Sequence, residues 1–149
     1  MKILKLTLLI IITLSLSSCS WGILLAIGNN SDHDIVVTYK INETEFSKKP
    51  RTYSFNKKIK YLYKNNPKKR PAESPNNAVY DAVSNTVTLT IKPNEAAMIG
   101  GYASFESFED KIIKSKLQVQ TTKNSTLNSE QLIQTKTKLT RKITILEIN

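Results

Sequence analysis

Residues 52–64 alternate in side-chain character more regularly than any other stretch of the chain. Tyr53, Phe55, Ile59, Tyr61 and Tyr63 fall on one parity, and Thr52, Ser54, Asn56, Lys58, Lys60 and Lys64 fall on the other. Successive side chains leave a strand on opposite faces, so the pattern predicts a half-buried antiparallel strand or hairpin arm with its aromatic rings inward. Residues 35–41 (IVVTYKI) are β-branched and aromatic-rich and predict another strand. In residues 83–91, Val83, Val87, Leu89 and Ile91 oppose Ser84, Thr86, Thr88 and Thr90, which predicts a third. The Lys92-Pro93-Asn94-Glu95 run is a turn, and residues 96–99 read as a short return strand ending in a second turn at Gly100-Gly101.

The remaining segments complete the pattern. Residues 21–27 are apolar and precede the turn signal Gly28-Asn29-Asn30-Ser31-Asp32, so they read as a first strand. Phe105, Phe108, Ile112 and Ile113 have helical spacing, and one or two helical turns are expected before a strand over residues 116–121. Asn128-Ser129-Glu130 is a helix-capping sequence, predicting a short helix to about Thr135. The chain closes with a strand over residues 142–148 that puts Ile143, Ile145 and Glu147 on one face. Asn124-Ser125-Thr126 reads as a turn. Three prolines and several basic and Asn residues make 65–77 a loop. Short strands separated by turns define a mainly β chain. The expected fold is a small antiparallel β-sandwich, immunoglobulin-like or transthyretin-like, with one or two short helical connections; an α+β arrangement is the alternative. Hydrophobic content of 40% and charged content of 23% are ordinary for a globular domain.

The first twenty residues have a separate logic. Lys2 and Lys5 precede the apolar run 6–16, which has the length of a signal-peptide core, and Leu16-Ser17-Ser18-Cys19 follows at once. This arrangement resembles the lipobox of bacterial lipoproteins: an aliphatic residue, two small residues, then cysteine. The resemblance implies a diacylglyceryl group on the Cys19 thiol and cleavage between Ser18 and Cys19, with further acylation of the new amine in many bacteria. It divides the chain into a signal peptide, 1–18, and a single β-rich domain, 19–149, anchored by lipid. Two or three acyl chains hold a protein durably on a membrane, where one is marginal. An uncleaved membrane helix over 3–27 is the competing reading, weakened by Thr13, Ser15, Ser17, Ser18, Ser20, Gly22 and Gly28. The resemblance places the protein in a bacterial cell envelope. Ser20, which is not Asp, favours an outer membrane with the domain facing the periplasm. An inner membrane or a Gram-positive cell membrane stays open.

Cys19 is the only cysteine, so the chain can form neither an internal disulfide nor a thiolate metal cage. Its one histidine, His33, lies between Asp32 and Asp34, and no spaced His/Cys/Asp motif completes a metal site around them. A Gly-x-Ser-x-Gly elbow and a phosphate-cradling glycine loop are both missing from the sequence. The sequence thus argues against an enzyme and for no cofactor.

Charge is the remaining signal. The full chain carries +10; without Lys2 and Lys5 its 20 basic and 12 acidic residues give +8. Residues 46–72 contain no acid, yet hold Lys48, Lys49, Arg51, Lys57, Lys58, Lys60, Lys64, Lys68, Lys69 and Arg70. The candidate binding residues are Lys57, Lys58, Lys60, Lys64, Lys68, Lys69 and Arg70. They suit an anionic lipid, polysaccharide or envelope protein, and not nucleic acid, which an exported chain rarely meets. The same pattern also fits a solvated face whose lysines guard an edge strand. Three functions follow as expectations: a non-enzymatic lipoprotein gripping an anionic partner, an accessory subunit of an envelope or secretion assembly joined by strand addition, and an inhibitor or immunity protein.

Overall fold

The first described strand, β1 (Gly22–Asn29), is apolar on both faces, and a computed structural model shows why. The structure describes residues 22–41, 46–54, 73–74, 77–103, 107–121, 125–140 and 143–149. Around β1 it places β2 (Ile35–Lys40), β3 (Arg51–Ser54), β4 (Glu73–Ser74), β5 (Val79–Asp81), β6 (Thr86–Ile91) and β7 (Glu95–Ala103). Helix α1 (Phe108–Lys114), β8 (Gln118–Thr121), β9 (Ser125–Leu127), helix α2 (Ser129–Gln134), β10 (Lys136–Thr140) and β11 (Ile143–Ile148) follow. The strands form a six-stranded sheet in the order β10-β11-β1-β7-β3-β4 and a five-stranded sheet in the order β5-β6-β2-β8-β9. The chain is a mainly β sandwich with short helices, as its alternation implied.

One pairing departs from the antiparallel rule. β1 and β11 run parallel in the middle of the larger sheet, with Leu25 opposite Thr144 and Ile27 opposite Leu146. A central strand covered on both faces needs apolar residues at every position rather than at alternate ones. This accounts for the apolar run Ile23–Ile27 in β1 and for the burial of four successive residues, Ile143–Leu146, in β11, where the Thr144 hydroxyl is hydrogen-bonded to that of Tyr102. Leu25, Ile27, Leu146 and Ile148 point at the other sheet, where they meet Ile35, Val37, Tyr39, Val87, Leu89 and Ile91. Each such side chain, fully buried, stabilises the fold by roughly 1.5–3 kcal/mol. Ala26, Ala96, Leu139, Ile143 and Ile145 form a second apolar cluster with Met98 on the opposite face of the larger sheet.

Those two apolar faces explain a correction at β3. The alternation in 52–64 predicts Tyr53 inward and Thr52 outward. Instead Thr52 is buried opposite Ala97, and Tyr53 is half-buried opposite Ala96. Register with β7 decides the matter: Tyr53 pairs with Ala96 and so shares the parity of the second apolar face, not that of the core between the sheets. Among the described residues the buried Thr52 hydroxyl has no hydrogen-bond partner. The strand described is only Arg51–Ser54; the rest of the 52–64 alternation lies outside the described residues.

Gly100-Gly101 is a second correction, since both residues lie inside β7 rather than in a turn. Opposite them the β1 register shifts between Leu25, which faces Gly100, and Ala26, which faces Met98. Ile99 is thus the extra residue of a bulge. At Gly101 the backbones approach so closely that an added Cβ would sit 2.9 Å from the Ile23 carbonyl oxygen. Gly101→Ala is expected to lower stability by about 1–3 kcal/mol, because a backbone and not a pliable side chain must move. Chemical denaturation checks this; a midpoint unchanged from the parent would contradict it.

Val83 also moves. It does not begin a strand but sits, almost fully exposed, in the turn between β5 and β6, which Asn85 closes with φ 53°. The Asn94 position has φ 60° and turns Lys92–Glu95 as the sequence implied. Ser125 and Thr126, expected in a turn, lie in β9 against β8. Lys116 precedes β8 in a left-handed conformation, φ 49°, so that strand starts at Gln118. Both helices form where the sequence places them. The Ser107 hydroxyl caps α1, and Asn128 with Gln131 makes a reciprocal capping box on α2.

Candidate functional site

The predicted binding residues Lys57, Lys58, Lys60, Lys64, Lys68, Lys69 and Arg70, and the predicted lipidation residue Cys19, all lie outside the described residues. What the structure describes of the acid-free run is its start, residues 46–54. Phe46 is buried, its ring edge-to-face with Tyr39 at 5.6 Å between centroids. The Tyr39 hydroxyl donates to the Ser47 carbonyl at 2.6 Å, and the Ser47 N–H donates to the Ile99 carbonyl at 2.7 Å. That second bond uses the carbonyl of the β7 bulge. Burial pushes the Tyr39 hydroxyl far above its ordinary pKa, so it remains a neutral donor.

This pinned backbone presents three cations to solvent. The Lys49 N–H donates to the Ser47 hydroxyl at 3.1 Å, tightening the turn, and Pro50 is buried behind it. The Lys48 ammonium lies 4.8 Å from the centre of the Tyr80 ring, a cation–π contact that holds it over β5. Arg51 is exposed at the start of β3. Among the described residues none of the three is paired with a carboxylate. Sequence reasoning included these residues in the basic run but did not single them out, because their fixed presentation depends on the distant contacts to Tyr39, Ile99 and Tyr80.

Other polar groupings are accounted for by the fold. His33 Nδ1 and Asp32 Oδ1 lie 2.7 Å apart at the β1–β2 turn, and this contact holds the Asp32 carboxyl below its ordinary pKa. Asp34 is exposed beside them. Among the described residues no group of three or more His, Cys, Asp or Glu side chains is placed to hold a metal. Lys136 bridges Glu109 at 3.1 Å and covers the Phe108 ring at 4.3 Å, tying β10 to α1. A shallow, open groove of about 290 Å³ between Ile113, Lys116, Asn128 and Glu130 brings one cation and one anion together but no nucleophile–base pair. No described helix is long and apolar enough to cross a membrane. Comparison with known proteins adds nothing to this geometry: no family model, no curated protein and no solved structure matches the chain.

Proposed function

We propose that the protein is a non-enzymatic envelope lipoprotein, anchored by acylated Cys19, whose β-sandwich binds an anionic partner through the basic run that starts at Lys48. The observation that carries this reading is that Lys48, Lys49 and Arg51 stand exposed on a hydrogen-bonded backbone, with no carboxylate paired to them among the described residues. The sequence continues from them into Lys57–Arg70 with no acid before Glu73. A run of like-signed cations complements and attracts an extended anionic surface.

The test uses the full-length protein in nanodiscs of zwitterionic lipid, offered isolated envelope components. Capture is expected at low ionic strength and should weaken as the Debye length falls from ~30 Å to ~8 Å between 0.01 M and 0.15 M salt. With Lys49, Arg51, Lys58 and Lys60 all changed to Glu, affinity should drop on the order of a hundredfold or more, given ~1 kcal/mol per cation near an anionic surface. Capture indifferent to both salt and charge reversal would refute the electrostatic reading.

The edge strands favour a second reading, an accessory subunit of an envelope assembly. Among the described residues β4, β5, β9 and β10 end the sheets, and Val79 on β5 is two-thirds exposed. An incoming strand can pair with such an edge. Crosslinking in cells separates the two readings, since an assembly subunit yields one fixed protein partner whatever the salt.

A further inference from the structure

Chain connectivity gives the sandwich two unlike ends. At one end β1 begins, with Gly22 opposite Ala103 and Leu24 opposite Ile143. β2 starts from the turn at the other end of β1 and runs back, so its end, with Ile41, lies at this end too. The Ile41 N–H donates to the Asn85 carbonyl at 3.1 Å, which brings in the β5–β6 turn that carries Val83. The Lys40 N–H donates to the Ser115 carbonyl at 2.7 Å, which brings in the C-terminus of α1 with Ile113, Lys114 and Lys116. The opposite end holds the β1–β2 turn with Asp32 and Asp34, the β6–β7 turn with Lys92 and Glu95, and Glu147 near the end of β11.

The surface chemistry follows this division. Among the described residues four large apolar side chains are exposed, and three of them are at the β1-start end: Leu24 at 44%, Val83 at 95% and Ile113 at 51%. Lys40, Lys114 and Lys116 are exposed around them. Carboxylates are present there too, but Asp81 is held in its own turn by the Val83 N–H and the Ser84 hydroxyl, and Glu109 by Lys136. Asp110 and Glu130 are exposed. The far end presents Asp32, Asp34, Glu95 and Glu147; among the described residues Lys92 lies in the β6–β7 turn there and Lys136 stands opposite Leu146 beside Glu147, while His33 contacts Asp32.

We propose that the β1-start end is applied to an anionic bilayer, with Val83, Ile113 and Leu24 entering the headgroup layer and Lys40, Lys114 and Lys116 meeting lipid phosphates. The proposal rests on the reading of Cys19 as the lipid anchor. Only Ser20 and Trp21 separate that cysteine from Gly22, so even a fully extended chain spans no more than ~11 Å. A tether that short holds the start of β1 against the lipid surface. Exposed aliphatic residues ringed by lysines then add favourable contacts there, which they cannot make in water. The far-end carboxylates point away from like-charged lipid.

Because Cys19 is consumed by lipid and is the only cysteine, an introduced cysteine can be labelled uniquely. The full acylated chain is reconstituted in vesicles of phosphatidylethanolamine and phosphatidylglycerol containing a nitroxide-headgroup lipid. A fluorophore is carried on Val83→Cys, Ile113→Cys, Lys49→Cys, Asp34→Cys or Lys92→Cys. Quenching is expected to be several-fold stronger at Val83 and Ile113 than at Asp34 and Lys92, with Lys49 between. Equal quenching at both ends, in protein shown by mass to be acylated, overturns the orientation and leaves the anchor standing. Strongest quenching at Lys49 overturns it in favour of the sheet side. Protein that is not acylated and does not float with the vesicles overturns both the orientation and the anchor.

Discussion

Asn29→Ala is expected to lower the stability of the domain by about 3 kcal/mol, a large part of the ~5–15 kcal/mol that holds a typical domain folded. Asn29 is fully buried at the end of β1 and uses both ends of its amide. Its Nδ2 donates to the Ile91 carbonyl at 2.9 Å and to the His33 carbonyl at 2.7 Å. Its Oδ1 accepts from the Ser31 N–H at 3.0 Å and from the Ser31 hydroxyl at 2.6 Å. Its own carbonyl accepts from Asn94, and the next N–H, that of Asn30, donates to Ile148. Asn29 thereby ties the end of β1 to β6 in the other sheet, to the turn that starts β2 and to the turn before β7, and the Asn30 N–H adds the end of β11. Alanine leaves the Ile91 carbonyl buried without its donor and releases Ser31, and each unsatisfied buried group costs about 1–3 kcal/mol. Thermal unfolding should show a fall in Tm on the order of 10 °C. Asn29→Asp sharpens the test: it keeps the shape but turns a carboxylate oxygen toward two carbonyls, so it should be at least as destabilising at neutral pH. A Tm unchanged in Asn29→Ala would show that the clasp carries little of the stability.

Cys19→Ser should abolish lipid attachment altogether. A serine hydroxyl does not replace the thiol in forming a thioether, and a chain that resembles a lipoprotein precursor is expected to be neither acylated nor cut at Ser18–Cys19. Metabolic labelling with palmitate is then expected to fall to background in Cys19→Ser while the protein is still made. The domain itself should fold as before, because Cys19 precedes the first described strand. Labelling that persists in the variant would place the lipid elsewhere or remove it from the account. This loss is all-or-none, whereas charge reversal at Lys49, Arg51, Lys58 and Lys60 should leave labelling intact and weaken only the grip on an anionic partner.

Much of the fold was legible where one local signal met no rival. Residues 35–40 form a strand as their β-branched run implies, with Ile35, Val37 and Tyr39 buried, and Asn128 caps α2 as the sequence suggests, Gln131 completing the box. Legibility failed where distant strands set the answer. Gly100-Gly101 has the composition of a turn, yet β1 pairs along β7 from Ala96 to Ala103 and carries the strand through the bulge. Val83 continues the parity of β6, but Asn85 tolerates a left-handed conformation and turns the chain before Thr86. Lys136–Thr140 carries no strong strand signal of its own and becomes β10 by pairing with the apolar β11. The site divides in the same way. Composition exposes the acid-free run, since charge counts need no folding. Only the topology brings Leu24, Val83 and Ile113, drawn from three distant segments, to the end where β1 begins.

Both the short tether and the orientation of the sandwich start from the anchor at Cys19. The intact mass of the protein recovered from the membrane fraction tests it most directly. The predicted result is a chain that begins at Cys19 and is heavier than its peptide mass by a diacylglyceryl group, with or without an amide-linked acyl chain. A protein that retains Met1 and carries an unmodified Cys19 thiol would contradict the account.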